Sequence, residues 1–426
     1  GAGLWVVGSG SNLRATTANE QIRLGMVGVG GRGGAHVDEA PKAGGKIVAL
    51  CDVDRNTLNG AAKKQPDAKL FADFRKMLDK MGKDIDAVFV ATPDHTHAPA
   101  ANMAMKMGKH VYCEKPLTHS IHEARTLTET ARAQKVASQM GNQGQSLDGT
   151  RKIVEIIRSG AIGPIKEVHS WTNRPIWPQG LDEPDRVDPI PDSLDWDLWL
   201  GPAAYRPFVG DKTYHPFAWR GWWDFGTGAL GDMACHIVNA PYWALDLKYP
   251  KSVEVVDGEP RKARNGPKWE IIRYEFPERG DQPPVTFTWY DGGKTPPKDL
   301  FHGSKIQSGG SLLIGEKGTL YLTDDYGARY ELLQKDKFPD FKEPEETLPR
   351  SPGHHKDFLE ACKNPTSRPA CSNFDYSGPL AEMVLLGVVA FRVGKKIEWD
   401  GPNMKATNCP EADQFIKTEY RKGWEL

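Results

Sequence analysis

The sequence predicts an α/β fold: an N-terminal doubly wound parallel sheet, followed by an α+β domain with an open, mostly antiparallel sheet. Three observations carry this. Apolar runs of strand length alternate with helical periodicity from Ile22 to Asn142, the pattern of strands joined by crossover helices. The first run, Ile22–Val29, leads into Gly28, Gly30 and Gly33 in G-x-G-x-x-G spacing, the turn that carries a strand into a helix in a dinucleotide-binding Rossmann unit. From about Gly144 the rhythm changes to short alternating runs separated by turn residues, as in an antiparallel or mixed sheet.

Within the first unit each glycine has a physical task. Gly28 lets the chain leave the strand tightly, Gly30 lets backbone approach a pyrophosphate, and Gly33 lets the helix pack close. Gly31 and Arg32 complete the turn, and the helix N-terminus offers N–H groups to phosphate. The second strand, Lys46–Val53, reaches Asp52, 19 residues after Gly33, near the ~20 expected of a ribose-binding acid. That carboxylate favours NAD and repels the extra phosphate of NADP; Arg55 is the neighbour that would suit NADP. The plainer reading of Asp52 is a strand-end turn residue. Asp86–Thr92, His110–Glu114 and Val136–Asn142 read as further strands, with helices at Phe74–Met81, Ala98–Met107 and Ile121–Gln134. Ligands bind at the carboxyl ends of such strands. There stand Asp52, the segment Thr92-Pro93-Asp94-His95-Thr96-His97, and Glu114-Lys115-Pro116. Pro93 turns the chain into a helix capped by Asp94 or Thr96, or the segment sets His97 beside a nicotinamide ribose. Lys115 closes a buried strand, so its charge must find water, a partner or a ligand; a turn lysine is the ordinary alternative.

The chain has 426 residues, enough for ~2–3 domains. We divide it into an arm at 1–20, a dinucleotide-binding domain at 21–143 and a substrate and oligomerisation domain at 144–426. Net charge is −1 without a long basic run, which argues against nucleic acid or an acidic membrane surface as partner. No apolar stretch stands out at the ~18–20 residues of a bilayer span. The six cysteines are scattered with no C-x-x-C, so neither a zinc ribbon nor a disulfide framework is indicated and no metal is expected. Gly1–Gly10 is apolar and rich in small residues, like the tail of a signal-peptide core without its charged leader. Export is the expectation, with an ordinary arm on a cytoplasmic protein as the alternative.

In the second domain, Arg151–Arg158 reads as a helix. Ile165–Thr172, Ser252–Val256, Glu270–Phe276, Val285–Tyr290, Leu312–Ile314, Thr319–Thr323 and Arg329–Leu333 read as strands. Trp177–Pro202, rich in Pro, Asp and Trp, reads as a long ordered loop over a site, too polar for core. Leu230–Leu245 has helical periodicity and places Asp232 and His236 four apart on one face. Just upstream lies W-R-G-W-W-D-F-G-T-G at 219–228. Trp222 and Trp223 are candidates to stack on sugar rings, and Arg220 and Asp224 to bond hydroxyls; Asn173, Arg174, Trp177 and His355, with His354 beside it, could join them. A packed aromatic cluster is the alternative. Glu382–Arg392 is an apolar helix expected to return to the first domain.

The glycine turn at 28–33, Asp52, T-P-D-H-T-H at 92–97, E-K-P at 114–116 and D-x-x-x-H at 232–236 together resemble the glucose–fructose oxidoreductase, inositol dehydrogenase and rhizopine-catabolism (Gfo/Idh/MocA) family, over nearly the whole chain from Ile22. The resemblance implies hydride transfer between nicotinamide and a secondary hydroxyl of a sugar, polyol or glycoside. NAD(P) would be held by the first domain, through Gly28, Gly30, Gly31, Arg32, Gly33, Asp52, Thr92, Pro93, His97 and Glu114. It also implies a homodimer or homotetramer through the open sheet face. Such chemistry needs a proton acceptor and a cation for the developing alkoxide. His236 fits the first role, Lys115 the second, and Asp232 would orient the substrate or His236. A redox-neutral glycosidase is the alternative: transient C3 oxidation, elimination and re-reduction, with Tyr290, His302 or His355 as second base. A non-catalytic sugar- or NAD-binding sensor is the alternative from another class.

Overall fold

The computed structural model describes residues 21–426; the arm on which the export expectation rests lies outside them. The first unit runs β1 (Arg23–Val27), α1 (Gly31–Lys42), β2 (Lys46–Cys51), α2 (Arg55–Ala62), β3 (Lys69–Phe71), α3 (Phe74–Met81), β4 (Ala87–Val90), α4 (His97–Lys106), β5 (His110–Cys113), α5 (Ile121–Gln134) and β6 (Ser138–Met140). The sheet order is β3-β2-β1-β4-β5-β6, every pair parallel. The order reverses between β1 and β4, where a doubly wound sheet opens its ligand crevice. Strand centres β4 and β5 are buried throughout, as a sheet covered on both faces requires. Two elements are absent from the sequence reading, α2 and β3. Strand β3 has only three residues, largely exposed at the sheet edge, too short and polar for an apolar run.

The second unit continues with α6 (Asp148–Arg158), β7 (Ile165–Thr172), α7 (Trp196–Leu200), α8 (Gly228–Ile237), α9 (Asn239–Leu245), β8 (Ser252–Gly258), β9 (Glu270–Phe276), β10 (Val285–Tyr290), β11 (Gly309–Gly315), β12 (Thr319–Leu322), β13 (Tyr330–Leu332), α10 (His354–Lys363), α11 (Phe374–Val393), β14 (Ile397–Asp400), β15 (Lys405–Ala406) and α12 (Asp413–Ile416). Its sheet has nine strands in the order β13-β12-β11-β7-β10-β9-β8-β14-β15. It is mixed because β7 and β10 pair parallel while the other pairs are antiparallel. In β9 buried and half-buried residues alternate: one face meets the core and the other, with Arg273, Glu275, Thr286 and Thr288, lines an open concavity. The expected helix Leu230–Leu245 is two helices, α8 and α9.

Helix α11 ties the two units together. Its Glu382 takes a two-pronged ion pair from Arg125 of α5, with contacts of 2.8 Å each, and the Thr128 hydroxyl donates to Phe374 O. By length and hydropathy it is the one described helix that could cross a membrane, which corrects the sequence reading of no such stretch, but 78% of its apolar window is buried inside the protein. The stretch 177–202, read as too polar for core, departs from that expectation in its aromatic residues. Trp196, Trp199 and Leu200 of α7 are buried and form, with Phe208, Tyr214, Trp219, Trp222 and Phe225, a separate aromatic core. The tryptophans thus pack this region on itself, while Asp192, Asp195 and Asp197 of the same stretch line a cavity beside Asp52.

Candidate active site

The glycine turn is shaped for close approach. Gly28 has φ +79°, and a Cβ there would meet Ala91 O at 2.7 Å. A Cβ on Gly33 would stand 2.0 Å from Gly28 O, so α1 packs on the turn at a distance only glycine allows. Gly30 precedes α1 with no side-chain cap, and the space beside Gly31 is open, leaving first-turn N–H groups free for an anion. Asp52 follows β2; its two oxygens accept from Val29 N–H and Asp54 N–H at 2.9 Å each. Burial raises its pKa, against those two bonds. Beyond it opens a 660 Å³ cavity lined by Asp52, Arg55, Leu58, Asp192, Asp195 and Asp197 among others. The chain reaches it through Arg55 N–H to Ser193 O and Asp195 N–H to Val53 O. The Arg55 guanidinium donates to Asp192 O and has acids around it. These residues fit an NAD dinucleotide: a pyrophosphate on the uncapped helix end and a ribose at Asp52.

Lys115, Asp232 and His236, the candidates for catalysis, come together across the two units. Lys115, after β5 and before a cis Pro116, sends its Nζ to Asp232 Oδ1 at 2.7 Å and Asp232 O at 2.9 Å. Arg220 Nε donates to the same Oδ1 at 3.2 Å. Burial opposes ionisation of Asp232, but the Lys115 and Arg220 cations outweigh it and hold the carboxyl below its usual range. One turn on along α8, His236 is buried. Burial, then the Lys115 charge, lower its pKa to about 3, so the ring is neutral at physiological pH and a weaker base than a free imidazole. Its Nδ1 is buried without a hydrogen-bond partner among the described residues. Two cations against one carboxylate leave the group net positive beside that nitrogen, the balance a developing alkoxide needs.

Other candidates separate. Glu114 turns from the triplet. Its Oε1 meets His36 Nε2 at 2.9 Å and Arg32 Nε at 3.3 Å, and its Oε2 accepts Lys115 N–H. Burial would raise its pKa, but the His36 bond and the nearby cations drive it far below the ordinary carboxylate range. Thr92 and Pro93 form the half-buried turn after β4, where Thr92 Oγ1 bonds Pro93 O. His97 is not free for a ribose: its nitrogens face Thr92 O at 2.9 Å and Leu117 O at 3.2 Å in the core. Trp222 is 1% exposed with Arg206 over its face, and Trp223 is 3% exposed against Phe391 and Arg392; neither ring offers a face to a sugar. Asp224 is held by Arg206 and Arg264 at 3.1 and 3.0 Å. Trp177, buried, lies under Arg220, and Arg174 bonds Asn173. His355 lies against His36, Phe89 and Tyr112, and Tyr290 bonds His169. His302 is exposed beyond β10.

One residue went unread in the sequence and another has a different role. Tyr326, 41% exposed, sets its ring edge-on to His236 at 5.1 Å; it sits in a D-D-Y-G turn whose only signal is an aromatic among turn residues. Asp94, read as a cap, instead accepts from the Thr227 hydroxyl at 2.8 Å, joining the units. Burial raises its pKa to about 7.

Fold and site together are those of a dinucleotide-binding Rossmann unit joined to a second α/β unit. The family profile for the oxidoreductase NAD-binding Rossmann fold matches residues 22–142, and that for the family's C-terminal alpha/beta domain matches 149–282 and 299–426. The chain belongs to the Gfo/Idh/MocA oxidoreductase family. It is 32% identical over 157 residues to inositol 2-dehydrogenase of Rubrobacter xylanophilus, 36% of this chain and 44% of that one. It is 31% identical over 157 residues to alpha-N-acetylgalactosaminidase of Shewanella oneidensis, 34% of each chain. The matched segments thus span less than half of these relatives. Among solved structures, WlbA dehydrogenase from Bordetella pertussis, in complex with NADH and UDP-GlcNAcA, superimposes with TM-score 0.63 at 17% identity, covering 89% of this chain and 99% of that one. Levoglucosan dehydrogenase, with NADH and levoglucosan, does so with TM-score 0.58 at 17% identity and the same coverage. These two likenesses establish the fold.

Proposed function

We propose that the protein is an NAD-dependent oxidoreductase acting on a secondary hydroxyl of a sugar, polyol or glycoside. The observation that carries this is the triplet Lys115–Asp232–His236, with an unpartnered buried His236 Nδ1 beside a net positive charge. NAD bound at the glycine turn and Asp52 supplies the hydride acceptor. His236, neutral at physiological pH, takes the hydroxyl proton, and the nearby Lys115 and Arg220 cations, by making the hydroxyl more acidic, offset its weakened basicity. The Lys115 ammonium, steered by Asp232, meets the alkoxide oxygen as charge develops. Arg220, backed by Trp177, carries hydroxyl-binding donors to the same wall. The homologous dehydrogenases and the sugar-bound structural neighbours support a carbohydrate substrate.

A second reading, redox-neutral cleavage of a glycoside, is supported by Tyr326, whose ring stands edge-on to His236 and whose hydroxyl is a candidate second base, and by the glycosidase among the relatives. Of the other bases, Tyr290 bonds His169 and His355 lies against His36, while His302 is exposed beyond β10. Absorbance at 340 nm with added NAD, against sugars and aryl glycosides with aglycone followed in parallel, separates the readings. NADH accumulation without cleavage supports the dehydrogenase; aglycone release without net NADH supports the glycosidase. No nicotinamide redox change with any sugar would leave the sensor. We further propose a homodimer or homotetramer through the open sheet face, and export, supported by the composition of residues 1–10. Native protein found only in the cytosolic fraction overturns export.

A further inference from the structure

We propose that α1 and α10 together form a divalent transition-metal site, through His36, Glu39 and His355, separate from the triplet. His36 and Glu39 are three apart on α1, so their side chains share one helix face. His355, in the first turn of α10, meets that face. His36 Nδ1 lies 2.8 Å from His355 Nε2, and His355 Nε2 lies 3.5 Å from Glu39 Oε2. All three ligand atoms lie within 4.8 Å of one another, close to the separations of ligands sharing a tetrahedral ion with bonds of ~2.0–2.1 Å.

The surroundings are those of a prepared site. His36 Nε2 faces the Glu114 carboxylate at 2.9 Å. A buried carboxylate there fixes the proton on Nε2 and aims the Nδ1 lone pair at the shared point, the carboxylate–histidine–metal arrangement. His36 is fully buried, with Phe89 and Tyr112 against its ring. His355 stacks on the same two aromatics at 6.0 and 5.6 Å. Both imidazoles are therefore held in orientation, while the exposed Glu39 leaves a path for an ion. Without metal, His355 Nε2–H donates to His36 Nδ1. Metal binding needs only the other tautomer of His355, with its proton on Nδ1. Charge permits it: Glu39 and Glu114 against Arg32 leave the cluster at −1. Two nitrogens, one carboxylate oxygen and an open position suit Zn²⁺, Co²⁺ or Ni²⁺ rather than Mg²⁺ or Ca²⁺. Such an ion would staple α10, from the far end of the chain, to the helix that begins at the glycine turn.

The test uses the full chain, stripped with chelator and titrated with Co²⁺. The expected result is one equivalent of intense visible ligand-field bands, abolished by Zn²⁺, with a rise in melting temperature on Zn²⁺ addition. His355→Ala and Glu39→Gln each lower Co²⁺ affinity on the order of 100-fold, and metal no longer raises their melting temperatures. Glu39 is exposed, so Glu39→Gln folds whatever becomes of His355→Ala. Absence of the bands, or bands unchanged in Glu39→Gln, overturns the site and leaves an imidazole–imidazole hydrogen bond.

Discussion

At the scale of single residues, Asp232 sets the character of the site. Its carboxylate draws Lys115 and Arg220 to one point and spends their charge on holding geometry until a substrate oxygen arrives. His236 is tuned the other way: buried and beside a cation, it stays neutral to well below physiological pH, so no acid limb near pH 6.5 belongs to it. Replacing Lys115 by Met, or His236 by Ala, should lower kcat by ~10²-fold or more while NAD still binds. Steady-state rates with a reactive sugar, together with quenching of tryptophan fluorescence by NAD, check this. Unchanged turnover in either variant would remove the assignment.

The elements show which local patterns are strict. The turn from β1 into α1 tolerates no side chain at 33, where a Cβ would reach 2.0 Å from Gly28 O. Gly33→Ala should therefore force α1 off the sheet, costing ~1–3 kcal/mol of stability and weakening NAD binding at least ~10-fold. Thermal melts and NAD titration of the variant measure both, and a normal melt with normal affinity would show that the helix can move freely. The α8 pairing of Asp232 with His236 was legible because helical spacing alone places them on one face. The role of the aromatic run at 219–228 was not. Trp222 and Trp223 could equally face a sugar or a core, and only the arrival of Arg206, Phe391 and Arg392, remote in sequence, decided for the core. His97 was misread for a similar reason: the carbonyls of Thr92 and Leu117 claim its nitrogens, and Leu117 reaches it only through the turn after β5.

At the scale of the molecule, two predictions follow from how the units meet. The cavity beyond Asp52 is walled by Asp192, Asp195 and Asp197, brought there by the second unit. A phosphate among those acids costs several kcal/mol, so NAD should be preferred over NADP by ~10²-fold or more in KM, with Asp52→Ala narrowing the gap. Equal use of the two cofactors would refute it. The second prediction concerns acid. Burial lowers the pKa of His95, His236 and His355 to about 3, and of His97, His110, His119 and His354 to about 4. The unfolded chain takes up these protons near pH 6.5, whereas the folded chain refuses them down to pH 3–4. Stability is therefore whole above pH 6.5 and falls as pH drops through the window below it. Asp94 and Glu123, raised by burial to about 7, Asp291, raised to about 8, and Asp52, Glu270, Asp325 and Glu382, also raised by burial, act oppositely; with His122 and His169 also lowered, nine imidazoles stand against these seven carboxyls. The melting temperature should be clearly lower at pH 5 than at pH 7.5; a higher value at pH 5 would show that the carboxyls dominate.

What the sequence by itself determined is whatever short-range pattern dictates: the alternation of strands and helices, the glycine turn, Asp52 at a strand end, Lys115 at another, and Asp232 with His236 on one helix face. Backbone sterics and periodicity act over a few residues and leave a readable trace. The tertiary structure decided everything that needs two distant segments to meet. It joined Lys115 to Asp232, set Tyr326 against His236, walled the ribose end with acids from a loop more than a hundred residues away, and brought His355 to His36. Each of those contacts is fixed by packing and charge between elements, and a side chain carries no mark in its own sequence neighbourhood of the partner that will satisfy it.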